Sequence, residues 1–287
     1  MMILIDSNSI CHQAKHSMIN FSWEEKEVGV IFGFFRQLLS LAKIFDSNKF
    51  VFVWDSRKGS IRTNMFPDYK KTRKREKTEE EQKFDDITYA QFNVIRDELL
   101  PEIGFVNNFM FEGYEGDDLV ARITKTYTNE EIVIVSSDED LYQLLSKNVS
   151  IYSIKKKQLY KDLNLWKDYR IVPKEWAEVK AIGGCTTDCV PGIPHVGEIT
   201  ACKYITKKLS RNHKTFQAIK DGTDIIERNR KLVTLPLEGT PTIKLNSNEQ
   251  LLVKKFIAVS QRYGFNSFIN KEGLAQWKEF VFKGDLF

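Results

Sequence analysis

The chain has little cysteine: Cys11, Cys185, Cys189 and Cys202 among 287 residues, with no CxxC pair. This argues against a disulfide framework or a structural zinc site and points to reduced thiols in a cytoplasmic setting. No run is long and apolar enough to span a membrane. The opening MMILIDSNSI reaches Asp6 too early to read as a secretory signal. There is no internal repeat and no low-complexity tract. Neither sign of charge dominates, with 43 Lys and Arg against 39 Asp and Glu. A net charge of +4 identifies no partner, so the distribution of charge has to. What remains is ordinary globular composition, enough for one large domain or two small ones.

Three short apolar runs end in an acidic or hydroxyl residue. Met2 to Ile5 runs into Asp6, Lys49 to Trp54 into Asp55, and Ile132 to Ser136 into Ser137 and Asp138. Each reads as a buried parallel strand. Val28 to Phe45 has helical periodicity, giving the strand–helix–strand grammar of an α/β sheet. Ser56 to Lys83 lacks an apolar face. A helix is predicted from Tyr89 to Leu100, closed by Pro101. Phe105 to Phe111 is a candidate strand and Asp117 to Tyr127 a helix. Beyond Pro173 the pattern is mostly helical, while Gly222 to Asn248 has no clear assignment. The predicted division is an α/β core over 1–172, with an arch at about 56–100, and a helical lobe over 173–287.

Ligands of parallel sheets gather at the carboxyl ends of the strands. Asp6, Asp55 and Asp138 each follow a strand, Asp140 comes two residues later, and Glu115, Asp117 and Asp118 open a helix. Singly, such residues are common caps and turn formers. Jointly, they would repel unless cations neutralised them. Oxygen donors without His select hard ions such as Mg²⁺ or Mn²⁺. Paired hard ions about 4 Å apart are suited to in-line phosphodiester hydrolysis.

Six blocks, in order, carry a resemblance. They are Ile3-Leu-Ile-Asp-Ser-Asn8, Phe52-Val-Trp-Asp55, Phe66-Pro-Asp-Tyr-Lys-Lys-Thr-Arg73, Gly113-Tyr-Glu-Gly-Asp-Asp118, Val135-Ser-Ser-Asp-Glu-Asp140 and Asp188-Cys-Val-Pro-Gly-Ile-Pro-His-Val-Gly197. Over Ile3 to Thr200 the chain resembles the 5′→3′ exonuclease and flap endonuclease family, which includes the 5′ nuclease domain of bacterial DNA polymerase I and stand-alone phage enzymes. The resemblance implies a PIN-like (resolvase-like) fold: a mostly parallel sheet flanked by helices, with a helical arch and a helix–three-turn–helix at about 175–210. It implies Asp6, Asp55, Glu115 and Asp117 at a first metal site. A second would comprise Asp138, Asp140 and Asp188, bridged by Asp118 or Asp117. Two Mg²⁺ ions, replaceable by Mn²⁺, would serve hydrolysis leaving a 5′-phosphate and a 3′-hydroxyl.

Between Asp68 and Lys77 six cations (Lys70, Lys71, Arg73, Lys74, Arg75 and Lys77) face two acids. A charge run is most often a solvated face, but this one adjoins carboxylates suited to phosphate chemistry. By the resemblance it lies in the arch, with Lys70 and Arg73 approaching the scissile phosphate and Arg62, Tyr69, Lys71, Lys74 and Arg75 as further DNA contacts. The Gly192, Val196 and Gly197 loop, with Lys203 after it, would grip duplex DNA, and the resemblance implies a K⁺ ion there. The expected partner is DNA with a 5′ flap, nick or gap, or an RNA–DNA primer. A monomer acting with replication proteins is the matching expectation.

Three positions depart from the family pattern. Cys185 stands where a second-site carboxylate is expected, Cys189 replaces an Asn, and His195 replaces a hairpin glycine. A neutral thiol brings neither charge nor hardness to a Mg²⁺ site, so the second ion is expected to be held more weakly. Two other readings are a catalytically weak relative that binds branched DNA and an RNA-directed PIN-like nuclease. The basic run and the glycine hairpin favour the DNA reading.

Overall fold

Met2–Asp6 (β1) and Phe50–Trp54 (β2) are buried almost throughout, which explains why both sequences are unbroken apolar runs. The computed structural model describes residues 1–18, 21–74 and 77–283, with the side chains of Arg73 and Lys74 set aside. Its contacts divide into two units. The first comprises 1–54, 77–109 and 244–287; the second comprises 55–76 and 110–243.

In the first unit β1 pairs in parallel with β2, Ile3 opposite Phe50 through Asp6 opposite Val53. Asn108–Met110 (β3) flanks β2. Helices Ser7–Ser17 and Gly29–Phe45 pack on each other. The C-terminal helices Val253–Arg262 and Lys271–Phe280 join this unit through aromatic side chains. Phe32 stacks on Phe268 at 4.7 Å, and Phe256 meets Trp277 at 4.3 Å between ring centroids. Each such ring contributes about 1.5–3 kcal/mol by leaving water.

The predicted helix ending at Pro101 runs differently. It begins at Glu79, where Thr78 and Glu81 exchange capping bonds of 3.2 and 3.0 Å. The acidic run Glu79 to Glu81 is therefore a helix N-terminus, where negative charge is favourable. The helix passes through a π turn at Ile95–Leu99 and continues as Leu100–Ile103. Pro101 falls in the first turn after that break, where its missing N–H costs least. Gly104, at φ +104°, ends the helix.

In the second unit Ile132–Val135 (β4) pairs in parallel with Val149–Ser153 (β5), and Gln158–Tyr160 (β6) closes antiparallel. Helix Gly116–Thr126 starts as predicted. The unpatterned 56–83 stretch contains a short helix, Ile61–Met65, started by the Ser60 side chain. Two helices, Trp176–Gly183 and Glu198–Ile205, flank a tight hairpin of Gly184–Cys185 against Val190–Pro191. Gly192 is required there, since a Cβ would stand 2.2 Å from the Gly183 carbonyl carbon. The segment that lacked an assignment supplies a further helix, Thr223–Val233. Among the described residues no helix is long and apolar enough to cross a membrane.

Candidate metal and phosphate site

Asp6 lies at the carboxyl end of β1 in the first unit, where its side chain caps helix Ser7–Ser17 through the Ser9 N–H at 3.0 Å. The other seven predicted carboxylates belong to the second unit. Asp55 accepts the Gly116 N–H at 2.8 Å, so the turn after β2 is fixed to the start of helix Gly116–Thr126. Glu115 precedes that helix and Asp117 is half-buried in its first turn.

Asp118 and Arg62 have another task than the one predicted. The Arg62 guanidinium clasps the Asp118 carboxylate in two bonds of 2.7 and 2.8 Å, and both side chains are fully enclosed. Arg62 also donates to the Leu232 carbonyl at 2.7 Å, while Asp118 accepts the Leu237 N–H at 2.8 Å. Burial pulls the Arg62 pKa down, but Asp118 and then Glu115 outweigh it and hold the guanidinium charged. Arg62 is thus enclosed rather than facing DNA, and Asp118 has its lone pairs taken by donors. The other candidate bridging residue, Asp117, is only half-buried.

Tyr69 is also buried rather than presented to DNA. Its hydroxyl lies 2.9 Å from Glu115 Oε2 and 3.1 Å from Asp188 Oδ2. One proton cannot satisfy two carboxylates, so one contact sets lone pair against lone pair, a repulsion that a nearby cation relieves. Burial, then Glu115 and Asp188, push the phenol far above its ordinary range. Lys70 reaches the same carboxylates, with Nζ 2.8 Å from Glu115 Oε1 and 3.9 Å from Asp188 Oδ1. Its backbone sits at φ +54°, a strained region for a lysine, with its N–H bonded to the Asp188 carbonyl at 2.8 Å.

Asp138 follows β4 and accepts the Asp140 N–H at 2.8 Å. It is exposed to solvent. The protein packed about its carboxyl, then the charges of Asp140 and Asp188, push its pKa up to about 6. Asp140, Cys185 and Asp188 bring their ligand atoms within 4.8 Å of one another, the one such triple among the described residues. Asp138 also lines a polar cleft with Ser153, Lys156 and Tyr160.

Several supporting residues escaped the sequence reading. Lys180 is buried and bridges Asp140 at 2.9 Å and Glu198 at 2.7 Å. Burial lowers its pKa, but Asp140 and Glu198 more than reverse that and keep it charged. A lysine between the buried Val179 and Ile182 was the available signal. Asn229 donates to the carbonyls of Ala181 and Pro191, both at 2.9 Å, holding the hairpin closed.

The basic run is only partly free to meet a substrate. Lys71 pairs with Asp68 at 3.1 Å on the surface, and Lys77 with Asp85 at 2.6 Å. Arg75 and the side chains of Arg73 and Lys74 lie outside the described residues. At the hairpin, Gly197 and Lys203 are exposed, whereas Val196 is buried with its N–H bonded to Ile193. Gly192 is packed against backbone, so the loop presents Gly197 rather than Gly192 or Val196.

Residues 1–170 match the family model described as the N-terminal resolvase-like domain of 5′-3′ exonucleases. The 5′-3′ exonuclease of Halalkalibacterium halodurans is 31% identical over 236 residues, covering 75% of this chain and 74% of the relative. That of Mycoplasmopsis pulmonis is 29% identical over 275 residues, 88% of each. Among solved structures, the bacteriophage T5 flap endonuclease in complex with DNA and metal ions superimposes with a TM-score of 0.69 at 21% identity, over 96% of this chain and 98% of that one. That likeness carries the fold, which is the PIN-like one expected. With the resolvase-like model matched over more than half its length and a relative above 30% identity, the chain belongs to the 5′-3′ exonuclease family.

Proposed function

We propose that this 5′ nuclease cuts DNA at 5′ flaps, nicks and gaps, using two divalent ions, with Mg²⁺ as the metal of the all-oxygen first site. The observation that carries the reading is the convergence of Glu115, Asp188, Asp140 and Asp138 around Tyr69, Lys70 and Lys180. The donor set is hard oxygen apart from one sulfur, and the charges of Asp140 and Asp188, which add to burial in raising Asp138, are what a bound cation would relieve. These residues fit divalent ions.

Asp55, Glu115 and Asp117 would hold the first ion. Asp138, Asp140 and Asp188 would hold the second. Bound divalent ions supply a nucleophile at neutral pH and neutralise phosphate charge. The chain's own groups do the rest. Lys70 places an ammonium beside Glu115 and Asp188, where it stabilises charge on the scissile phosphate. Tyr69 fixes the spacing of those carboxylates, and Lys180 fixes Asp140. Gly197, which opens helix Glu198–Ile205, and Lys203 would meet duplex phosphates downstream, within a helix–three-turn–helix at about 175–210 that could also hold K⁺.

The four cysteines are free thiols, consistent with a reducing, cytoplasmic setting, where the protein would act as a monomer alongside replication proteins. The deciding assay offers 5′-labelled flap, nicked duplex and RNA–DNA hybrid with Mg²⁺ or EDTA. Mg²⁺-dependent cleavage of the flap is expected. Cleavage of RNA alone would support the RNA-directed reading, and binding without cleavage the weak relative.

A further inference from the structure

We infer that Cys185 is a metal ligand, so that Asp140, Cys185 and Asp188 form a thiolate–carboxylate site selecting Zn²⁺, Co²⁺ or Cd²⁺ over Mg²⁺. The inference rests on the reading of this edge as the second metal site. Three observations lead to it.

The three ligand atoms already lie within 4.8 Å of one another, before any ion draws them together. The sulfur is 3.6 Å from Asp140 Oδ2. With Zn–S about 2.3 Å and Zn–O about 2.1 Å, a tetrahedral ion spans an S···O edge of about 3.6 Å. The contact therefore needs little adjustment to accept the ion.

The sulfur is also held in place. Cys185 pairs with Val190 across the hairpin, and its Sγ touches Thr187 Oγ1 at 3.1 Å. Asp140 presents Oδ2 to the sulfur because Lys180 engages Oδ1 at 2.9 Å and is itself bonded to Glu198. Such support of a ligating carboxylate typically changes metal affinity 10–100-fold.

The neighbouring thiol is employed elsewhere. Cys189 Sγ meets Thr72 Oγ1 at 3.2 Å and is not part of the triple. A soft sulfur beside two carboxylates suits borderline ions, whereas Mg²⁺ demands near-octahedral oxygen. Coordination replaces the S–H bond with a metal–sulfur bond, the proton passes to buffer, and no electrons are transferred.

The test is Co²⁺ titration of the full chain, followed by the near-ultraviolet sulfur-to-cobalt charge-transfer band. The band should appear in the wild type and in Cys189→Ser, and disappear in Cys185→Ser. Zn²⁺ should erase it at a concentration at least about 100-fold below that of Mg²⁺. The wild-type band and its competition by Zn²⁺ decide the matter even if Cys185→Ser folds poorly. No band in a wild type that cleaves flaps with Mg²⁺ would overturn the thiolate site and leave the nuclease reading standing. A band lost in Cys189→Ser and kept in Cys185→Ser would overturn it too. Neither a band nor Mg²⁺-dependent cleavage would remove the second-site reading beneath it.

Discussion

Asp118 and Asp140 are both acidic residues of motif blocks, and the fold treats them in opposite ways. Asp118 is sealed from solvent and bound by Arg62 and by the backbone amides of Leu237 and Glu115. Asp140 keeps one oxygen on Lys180 and turns the other toward Cys185, within a cluster of like charge. A carboxylate surrounded by donors is structural, because a metal would have to strip partners that are already in place. A carboxylate crowded by other carboxylates is poised for a cation, because the cation removes repulsion. Tyr69 stands between the two kinds, serving Glu115 and Asp188 with one proton.

The largest effect should come from breaking the sealed pair. Arg62→Ala leaves the Asp118 charge buried and is expected to cost about 3–5 kcal/mol of stability, measured by urea unfolding. A loss below about 1 kcal/mol would mean that the pair is not enclosed as described, and the contrast would fail.

Lys70→Ala acts on the other side of the comparison. It should leave the fold intact and slow single-turnover cleavage by on the order of 100-fold, with duplex affinity changed far less. An equal loss in binding and rate would place Lys70 in general phosphate attraction instead.

Gly197→Asp separates the hairpin from the carboxylates. A Cβ at Gly197 meets nothing within 4 Å, and Asp is a favourable residue at the start of a helix, so folding should be unaffected. Duplex affinity should fall about tenfold by repulsion of phosphate, with the cleavage rate at saturation nearly unchanged. Unchanged affinity would remove this loop from the interface.

The smallest effect is a pH dependence. Asp138 has its pKa raised to about 6, above the usual carboxylate range. Its ionisation therefore opposes folding in the metal-free chain, and that cost fades as pH falls through about 6 toward 4. Divalent ions need the ionised form, so their affinity should rise with pH up to about 6 and level off above it. Calorimetric titrations across that range that show no slope would contradict the crowding of Asp138.

Much of the fold was legible because β1, β2 and β4 are buried on both faces and so appear as apolar runs. Helix Ser7–Ser17 was not, since its buried face of Ser7, Ile10, Cys11 and Ala14 carries only one large apolar side chain. At the site, the motif blocks supplied the carboxylates and Lys70. They could not separate Asp117 from Asp118, because that distinction depends on the distant partners Arg62 and Leu237. The contributions of Leu232 and Leu237 are backbone groups, which leave no mark in a sequence. That is why 222–248 appeared featureless although it anchors Arg62 and Asp118. The burial of Arg62 and Tyr69 is hidden for a related reason: charge and aromaticity suggest a surface role, and only packing reveals a buried one.

The central claim is that the carboxylates outside the sealed pair hold the ions that cut DNA. Asp117→Asn tests it most directly, by single-turnover cleavage of a 5′-labelled flap in Mg²⁺ alongside flap binding in Ca²⁺. The account predicts a loss of rate on the order of 1,000-fold, some 4 kcal/mol, with binding equal to or tighter than that of the wild type. Cleavage by Asp117→Asn at the wild-type rate would contradict it.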